Sequence, residues 1–172
     1  MSNPVNAVDG DEYVVSWDDG RISTIVSWHP PSQLPSGRPF GASGVCITPD
    51  DKAVIVSSNG HLWSLPGGRP EGSETALETL YREMAEEACV SIQEAQLLGF
   101  CRITDSNGLT AGVSRVRAWF RARVTVQPWA PQFEIEHRRL VDPEEITSQI
   151  VIAPGEAPII HRVLFEAFDH NV

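Results

Sequence analysis

The stretch GRPEGSETALETLYREMAEEACV, residues 68–90, carries the strongest structural signal in the chain. Between residues 74 and 88 it contains no glycine or proline and consists mainly of strong helix formers. Small and apolar residues recur there at three- and four-residue steps, the period of one helix face: Ala76, Leu77, Leu80, Met84 and Ala88. The stretch therefore predicts an amphipathic helix over residues 74–88, with Ser73 placed to cap its first turn.

Three glutamates of this helix, Glu83, Glu86 and Glu87, are three or four residues apart or adjacent and so project on one side. Like charges at the three- and four-residue spacings destabilise an isolated helix by about 0.2–0.5 kcal/mol per pair. Arg82 neutralises only part of this charge, whereas Mg²⁺ accepts carboxylates and keeps waters and substrate phosphates as its other ligands. The spacing alone leaves two interpretations open: an acidic face in contact with solvent, or a metal site.

A glycine pair, Gly67-Gly68, precedes the helix and allows a ligand or ion to approach the main chain closely. Gly68, Glu74, the segment REMAEE at residues 82–87, and Val90 follow the spacing G-x5-E-x7-R-E-U-x-E-E-x-G-U, with U apolar. This pattern resembles the Nudix box. Six of its seven fixed residues match, and Cys89 stands in place of the second glycine. On these residues the chain is identified as a member of the Nudix family, MutT-like.

The resemblance implies an α+β fold, the Nudix α/β/α sandwich, in which a mixed central sheet lies between helices. We expect it to cover residues 40–172 as the Nudix hydrolase domain. Residues 1–39 lie outside it and predict an N-terminal β-hairpin extension, with strands at 13–17 and 21–28, followed by a Pro-rich linker. Further strands are predicted at residues 97–104, 114–127 and 133–141. Residues 142–145 are predicted to open a short helix, and residues 157–168 to form a closing helix.

The resemblance also implies the activity. A Nudix enzyme hydrolyses a nucleoside diphosphate linked to another moiety by attack of water on a pyrophosphate phosphorus, with Mg²⁺ or Mn²⁺ neutralising the phosphate oxygens and orienting the water. Glu83, Glu86, Glu87 and the backbone carbonyl of Gly67 match the family's metal ligands. Three further matching residues have structural roles in the box: Gly68, Glu74 and Arg82.

The general base is a separate question, because Nudix members draw it either from a box glutamate, here Glu86 or Glu87, or from a loop after the central strands. Glu134 and Glu136 lie in the region of that loop. Their alternation with apolar residues predicts that both project from one face of a strand. Two exposed strand carboxylates without a catalytic role are the alternative.

In residues 114–126 apolar side chains alternate with arginines and one tryptophan, so the segment predicts a strand with one apolar face and one arginine-rich face. One hypothesis is that Arg115, Arg117 and Arg121 bind substrate phosphates while Trp119 stacks on a base or sugar. The alternative is a solvent face paired with acidic neighbours, which the net charge of −10 favours.

Composition excludes several classes of protein. The chain has 172 residues, about the length of one domain, and its net charge of −10 argues against binding a nucleic-acid polymer, though not a free nucleotide. Its apolar runs are too short to span a membrane, and its start lacks the features of a secretory signal. Three cysteines without CxxC spacing suit a reducing compartment, so the sequence predicts a cytoplasmic protein.

Two functions remain. The first is a metal-dependent pyrophosphohydrolase acting on a nucleoside triphosphate or a nucleotide sugar. The second is a catalytically silent Nudix-like module that binds a nucleotide as a sensor. Because the predicted hairpin has an exposed edge, we also expect a homodimer to which residues 13–28 contribute.

Overall fold

The computed structural model of the chain describes residues 5–169. The strands in this part of the chain are β1 Glu12–Trp17, β2 Ile22–His29, β3 Arg38–Ile47, β4 Ala53–Ser57, β5 Gly67–Gly68, β6 Val90–Asp105, β7 Ser114–Val126 and β8 His137–Val141. The α-helices are α1 Ala76–Glu87, α2 Ile146–Gln149 and α3 Ala157–Phe168. Over residues 5–169, no helix has both the length and the apolar character needed to cross a membrane.

The chain forms two compact units. Within the described residues, one comprises residues 5–40, 98–119 and 152–169, and the other comprises Gly41–Leu97 and Phe120–Val151. Strands hydrogen-bond in the order β1-β2-β6-β7 in the first unit and β7-β3-β4-β8 in the second, where β5 also pairs with β3. Helices pack around this mixed sheet, as the sequence predicts.

In the first unit the N-terminal hairpin is confirmed. β1 pairs antiparallel with β2, and β2 pairs antiparallel with β6 from Thr24 opposite Asp105 to His29 opposite Phe100. Gly99 on β6 leaves the space that the fully buried Trp28 fills, since a Cβ there would overlap the indole. The hairpin therefore belongs to the sheet through β2, and the domain division between residues 39 and 40 stays a prediction.

α3 has the bounds predicted for it, Ala157–Phe168. Its buried residues form one stripe: Ile159, Ile160, Val163 and Ala167. Arg162 on another side of this helix donates to the Ala7 carbonyl at 2.8 Å and forms an ion pair with Asp9 at 3.1 Å. α3 thus holds the segment that precedes β1.

In the second unit α1 packs on β3. A Cβ at Gly44 would lie 3.1 Å from Leu80 Cδ1, so a side chain there would require Leu80 to shift by a few tenths of an ångström. The Cys46 thiol lies 3.1 Å from the sulfur of Met84, and both residues are buried. Leu80 and Met84, two members of the predicted apolar stripe, therefore anchor α1 to the sheet.

The start of α1 corrects one prediction. The helix begins at Ala76, and its N-cap is Thr75 rather than Ser73. The Thr75 hydroxyl accepts from the Glu78 N–H at 3.2 Å, and the Glu78 carboxylate accepts from the Thr75 N–H at 2.8 Å. Because this capping box satisfies two helix donors at once, it decides the start of the helix. Glu74 is thereby left in the preceding loop.

The predicted strand over residues 133–141 is also wrong in its first half. β8 starts at His137, and Phe133 has a φ of +58°, in the left-handed region, which a strand does not accommodate. Glu134 and Glu136 therefore lie in a loop and do not share a strand face. This loop, residues 127–136, is called the β7–β8 loop below.

Candidate active site

Arg82 is the centre of the charged groups at α1. Its Nε and Nη2 donate to the two oxygens of Glu74 at 2.8 and 3.0 Å. Its Nη1 donates to Glu83 Oε1 at 3.0 Å and to Glu86 Oε2 at 3.1 Å, while Nη2 also donates to the Arg69 carbonyl at 2.8 Å. The guanidinium lowers the pKa of Glu74 to about 2, chiefly through their hydrogen bonds. Arg82 thus ties the loop before α1 to the carboxylates on it.

Glu83 is the most enclosed of these carboxylates, with 8% of the residue exposed. Burial raises its pKa above the ordinary value, although the charge and hydrogen bond of Arg82 oppose the shift. Gly68 faces this carboxylate, and a Cβ at Gly68 would overlap it. The glycine that begins the box is therefore required by the position of the Glu83 side chain.

Glu87 is held by the main chain. Its Oε2 accepts a hydrogen bond from the Gly67 N–H at 3.0 Å. Gly67 lies opposite Ser43 in the short β5–β3 pairing, with a φ of +156°, and a Cβ at this position would overlap the Ala42 carbonyl. The glycine pair thus brings a backbone donor close to the end of α1.

One cavity of about 180 Å³ joins α1 to the β7–β8 loop. Its lining includes the four carboxylates Glu83, Glu86, Glu87 and Glu134, together with Arg82, Glu71 and the loop residues Gln132, Phe133 and Ile135. The nearby charge of Glu134 is one of the causes that raise the pKa of Glu83. Glu136 does not line this cavity; its N–H donates to the Ser57 carbonyl at 3.2 Å. Of the two loop glutamates, only Glu134 joins the box carboxylates.

The donor chemistry of the cavity fits Mg²⁺ or Mn²⁺, because carboxylate oxygens are the ligands that hard divalent ions prefer. Within residues 5–169, however, no three His, Cys, Asp or Glu side chains are gathered closely enough to hold one metal ion together. Arg82 bonds Glu83 and Glu86, and the Gly67 N–H bonds Glu87, so protein donors already engage oxygens of all three. A bound ion would draw these carboxylates together from the positions described here.

Comparison with known proteins identifies the family. The NUDIX domain model matches residues 37–163, which is most of the chain. The chain belongs to the Nudix family. Nudix enzymes are generally pyrophosphohydrolases of nucleoside diphosphate derivatives and generally use divalent metal ions, so the prediction of a Nudix hydrolase is confirmed at the level of the family. No curated protein sequence matches the chain.

Solved structures show the same fold. The chain is similar to the Bacillus subtilis pyrophosphohydrolase BsRppH, with a TM-score of 0.59 and 20% identity over 74% of this chain and 76% of that one. It is also similar to the NUDIX domain of Shewanella oneidensis NrtR, complexed with ADP ribose, with a TM-score of 0.58 and 18% identity over 84% and 94% of the two chains. MutT from Aliivibrio salmonicida and Vibrio cholerae gives 0.54 and 16% identity over 74% and 98%. The predicted Nudix fold is confirmed.

Cys89 is the one fixed position at which this Nudix box departs from the pattern. Its φ is +48°, in the left-handed conformation that glycine adopts without strain, and the residue is 6% exposed. Its thiol lies 3.5 Å from the Ala130 carbonyl, within reach of a weak hydrogen bond. The turn after the Nudix helix therefore has a left-handed residue at this position, although that residue is a cysteine and not the glycine of the box pattern.

The residues on β7 that are predicted to bind substrate are divided between the two units. Arg115, Arg117 and Trp119 belong to the first unit, in which Arg115 forms an ion pair with Asp105. The guanidiniums of Arg115 and Arg117 lie over the Phe40 ring, 4.9 and 5.2 Å from its centroid. Trp119 is only 8% exposed. Arg121 belongs to the second unit but does not line the acidic cavity.

Sequence reasoning missed two features of the site. The capping box was readable as Thr75-x-x-Glu78, and it fixes where the Nudix helix starts. The cavity residues Gln132 and Phe133 gave no such signal. Their position follows from the left-handed turn at Phe133, a conformation that sequence pattern does not predict for phenylalanine.

Proposed function

We propose that this Nudix protein is a metal-dependent pyrophosphohydrolase whose substrate is a nucleoside triphosphate or a nucleotide sugar. The observation that carries the proposal is the acidic cavity, in which Glu83, Glu86 and Glu87 of α1 meet Glu134 of the β7–β8 loop. Four carboxylates around one small cavity repel one another, and a divalent cation with the phosphates it carries is the ligand that relieves this repulsion.

Glu83, Glu86 and Glu87, with the Gly67 carbonyl, would hold Mg²⁺ or Mn²⁺. When bound, the ion neutralises phosphate oxygens and favours attack of water on phosphorus. Arg82 orients Glu83 and Glu86 by bonding one oxygen of each. Gly68 and Glu74 support this arrangement, the first by leaving room for Glu83 and the second by fixing the Arg82 guanidinium.

Glu134 is the general base in this proposal, with Glu86 or Glu87 as the alternative within the box. Its support is its place in the cavity wall beside the three α1 glutamates. As a carboxylate it would accept the proton that the attacking water releases. Glu136 lies outside the lining, so we assign the base to Glu134 in preference to Glu136.

Arg115, Arg117, Arg121 and Trp119 remain proposed substrate contacts. The support is that, within the described residues, the buried Nε atoms of Arg115 and Arg121 have no hydrogen-bond acceptor. A phosphate oxygen would satisfy such a donor, but because both Nε atoms are buried the guanidinium would first have to move into the open. The ion pair between Arg115 and Asp105 favours the alternative, in which these arginines serve the structure of β7.

A nucleotide-binding module without turnover is the second candidate. It is favoured by the finding that, over residues 5–169, the acidic side chains are not gathered into a three-ligand metal site. The NUDIX domain of NrtR, one of the similar structures, is complexed with ADP ribose. Such a module would be stabilised by nucleotide without hydrolysing it.

The test is release of phosphate or nucleoside monophosphate from a panel of nucleoside triphosphates, nucleotide sugars and dinucleotides, with Mg²⁺ or Mn²⁺. We expect metal-dependent turnover that Glu86→Gln or Glu87→Gln abolishes and that the exposed control Glu94→Gln leaves intact. Loss in Glu134→Gln but not in Glu136→Gln would support the assignment of the base. No turnover, with a nucleotide still raising the melting temperature, would favour the binding module.

A further inference from the structure

We propose that Arg138 is a positioning residue that fastens the C-terminal end of the Nudix helix to the β7–β8 loop. Through this contact it sets the place of Glu134 relative to the glutamates of α1, and it supports the turn in which Cys89 replaces the box glycine. The inference rests on the proposed hydrolase function for its catalytic consequence, but the contacts themselves do not depend on that function.

One guanidinium nitrogen of Arg138 serves three backbone oxygens. Its Nη1 donates to the carbonyls of Ala88 and Cys89 at 2.9 Å each and to the carbonyl of Gln127 at 3.1 Å. This nitrogen carries two hydrogens, so at least one of them is shared between two acceptors. Arg138 therefore joins β8, on which it lies, to the end of α1 and to the start of the β7–β8 loop.

The carbonyls at the end of α1 need such a donor. Ala88 and Cys89 follow Glu87, the last residue of the helix, so no further helical N–H reaches their oxygens. Cys89 has a φ of +48°, which costs free energy for any residue other than glycine. The Cys89 carbonyl accepts both from Arg138 and from the Gln127 N–H, the latter at 2.9 Å. These two bonds hold the strained turn in place.

The same contacts fix the loop that carries Glu134. Gln127, the first residue after β7, bonds Cys89 through its N–H and Arg138 through its carbonyl. Further along the loop, Ala130 accepts from the Cys89 thiol at 3.5 Å, and the Trp129 ring lies 5.1 Å from the Arg138 guanidinium. Glu134 follows four residues after Ala130 and lines the acidic cavity. Arg138 thus fixes the start of the loop, through Gln127 and Trp129, and the loop continues from there to Glu134 in the cavity wall.

Arg139 offers a matched control on the same strand. It is the same residue type, its guanidinium also lies over a tryptophan, Trp63, at 4.2 Å, and its Nη1 also donates a hydrogen bond, to Gln149 Oε1 at 2.7 Å. None of these contacts involves α1 or the β7–β8 loop. A change at Arg139 therefore reproduces the loss of a stacked arginine on β8 without releasing the helix end.

The kinetic test compares Arg138→Met, Arg138→Lys and Arg139→Met with the wild type on the substrate that the panel identifies. For Arg138→Met we expect kcat to fall by about tenfold or more with KM changed by less than about twofold, because misplacing a catalytic group lowers the rate more than it weakens binding. Arg138→Lys should recover part of the rate, since it keeps a charged donor. Equal kinetics for Arg138→Met and Arg139→Met would overturn the proposal.

Amide hydrogen exchange tests the contact without any turnover. We expect faster exchange at Gln127, whose N–H donates to the Cys89 carbonyl, and at the loop amides of residues 129, 130 and 132–134 in Arg138→Met than in the wild type or Arg139→Met. Unchanged exchange would overturn the proposal even if the enzyme is active. A wild-type protein without turnover would reject the hydrolase function, while the exchange comparison would still decide the role of Arg138. If Arg138→Met does not fold, the same comparison is made with Arg138→Lys.

The link to Cys89 is tested by a double-mutant cycle. In a Cys89→Gly background the turn is unstrained, so we expect Arg138→Met to accelerate loop exchange less than it does in the wild-type background. The same acceleration in both backgrounds would show that Arg138 does not support the Cys89 turn and would overturn this part of the proposal.

Discussion

Replacing Gly68 by alanine tests whether the first glycine of the box exists to make room for Glu83. The new Cβ would overlap the Glu83 carboxylate, which is itself held by the Arg82 Nη1 donor. Because ordinary van der Waals contact between such atoms requires about 3.5 Å, the carboxylate would have to move by about 1 Å or more. Glu83 is nearly buried, so the space available for this movement is small.

The size of the effect follows from that displacement. Overpacking of an enclosed site typically costs about 1–3 kcal/mol of the free energy of unfolding. For a protein of this length each kcal/mol lowers the melting temperature by about 2–4 °C, so we expect a loss of about 2–12 °C. A displacement of about 1 Å in a catalytic group lowers the rate by about 100-fold, and we expect this loss in kcat under saturating metal.

The assay is scanning calorimetry together with steady-state kinetics in Mg²⁺ and Mn²⁺. Gly72→Ala is the control, because Gly72 is a left-handed glycine in the loop between β5 and α1, with a φ of +57°, but has no atom within 4 Å of its ideal Cβ position. Gly72→Ala should lose stability through backbone strain while keeping its kcat. A second variant that combines Gly68→Ala with Glu83→Asp shortens the carboxylate and should recover stability. Wild-type kcat in Gly68→Ala would refute the reasoning.

Three further predictions concern other parts of the chain. Burial raises the pKa of Glu156, so its contribution to the free energy of unfolding should fall as pH rises from the ordinary to the raised pKa. Glu156→Gln lacks this titration, so its melting temperature relative to that of the wild type should increase between pH 4 and pH 7. If the predicted homodimer uses the hairpin, Trp17→Lys or Ile22→Lys, both at exposed positions, should give monomers by light scattering; a persisting dimer would contradict it. If Trp119 stacks on substrate, Trp119→Phe should raise KM, and it should also lower the melting temperature because the smaller ring leaves a cavity at this buried position; an unchanged KM would exclude the stacking.

The predicted dimer has to accommodate one structural fact. The outer edge of β1 is not open along its whole length, since the Ser16 N–H donates to the Pro154 carbonyl at 3.2 Å. A Cβ at Gly155 would overlap the backbone of Val14, so this segment lies directly against the strand. Addition of a partner strand along β1 would displace it, whereas contact through the exposed Trp17 and Ile22 side chains would not.

The parts of the fold that local sequence determines were predicted well. α3 has the predicted bounds because its apolar stripe and early proline are encoded within its own residues. The box spacing likewise identified the family. The prediction of where α1 starts was wrong because two possible N-cap residues, Ser73 and Thr75, lie close together. Thr75 is the N-cap because it forms a capping box with Glu78. Propensity at a single position does not distinguish such neighbours, whereas the pair of residues does.

The β7–β8 loop shows why the loop side of the acidic cavity could not be predicted from the sequence. Alternating residues at 133–136 predict a strand, but the left-handed Phe133 and the bonds of Gln127 with Cys89 and Arg138 turn the chain toward α1. Other contacts of this loop and of its neighbour Arg138 also join distant residues. Cys89 contacts Ala130, 41 positions away, and Arg138 contacts Ala88, 50 positions away. A period of two in the sequence carries no information about such distant partners.

The bonds of Arg82 bear on how the crowded carboxylates would accommodate the proposed metal ion. Arg82 contacts Oε1 of Glu83 and Oε2 of Glu86, one oxygen of each carboxylate. The second oxygen of each would be available to a cation, so Arg82 would reduce the repulsion and orient the two proposed ligands at the same time. It follows that Arg82→Lys, which replaces the planar fork by a single point donor, should weaken the binding of Mn²⁺ measured by titration calorimetry. Metal affinity equal to that of the wild type would mean that Arg82 only stabilises the loop before α1 through Glu74.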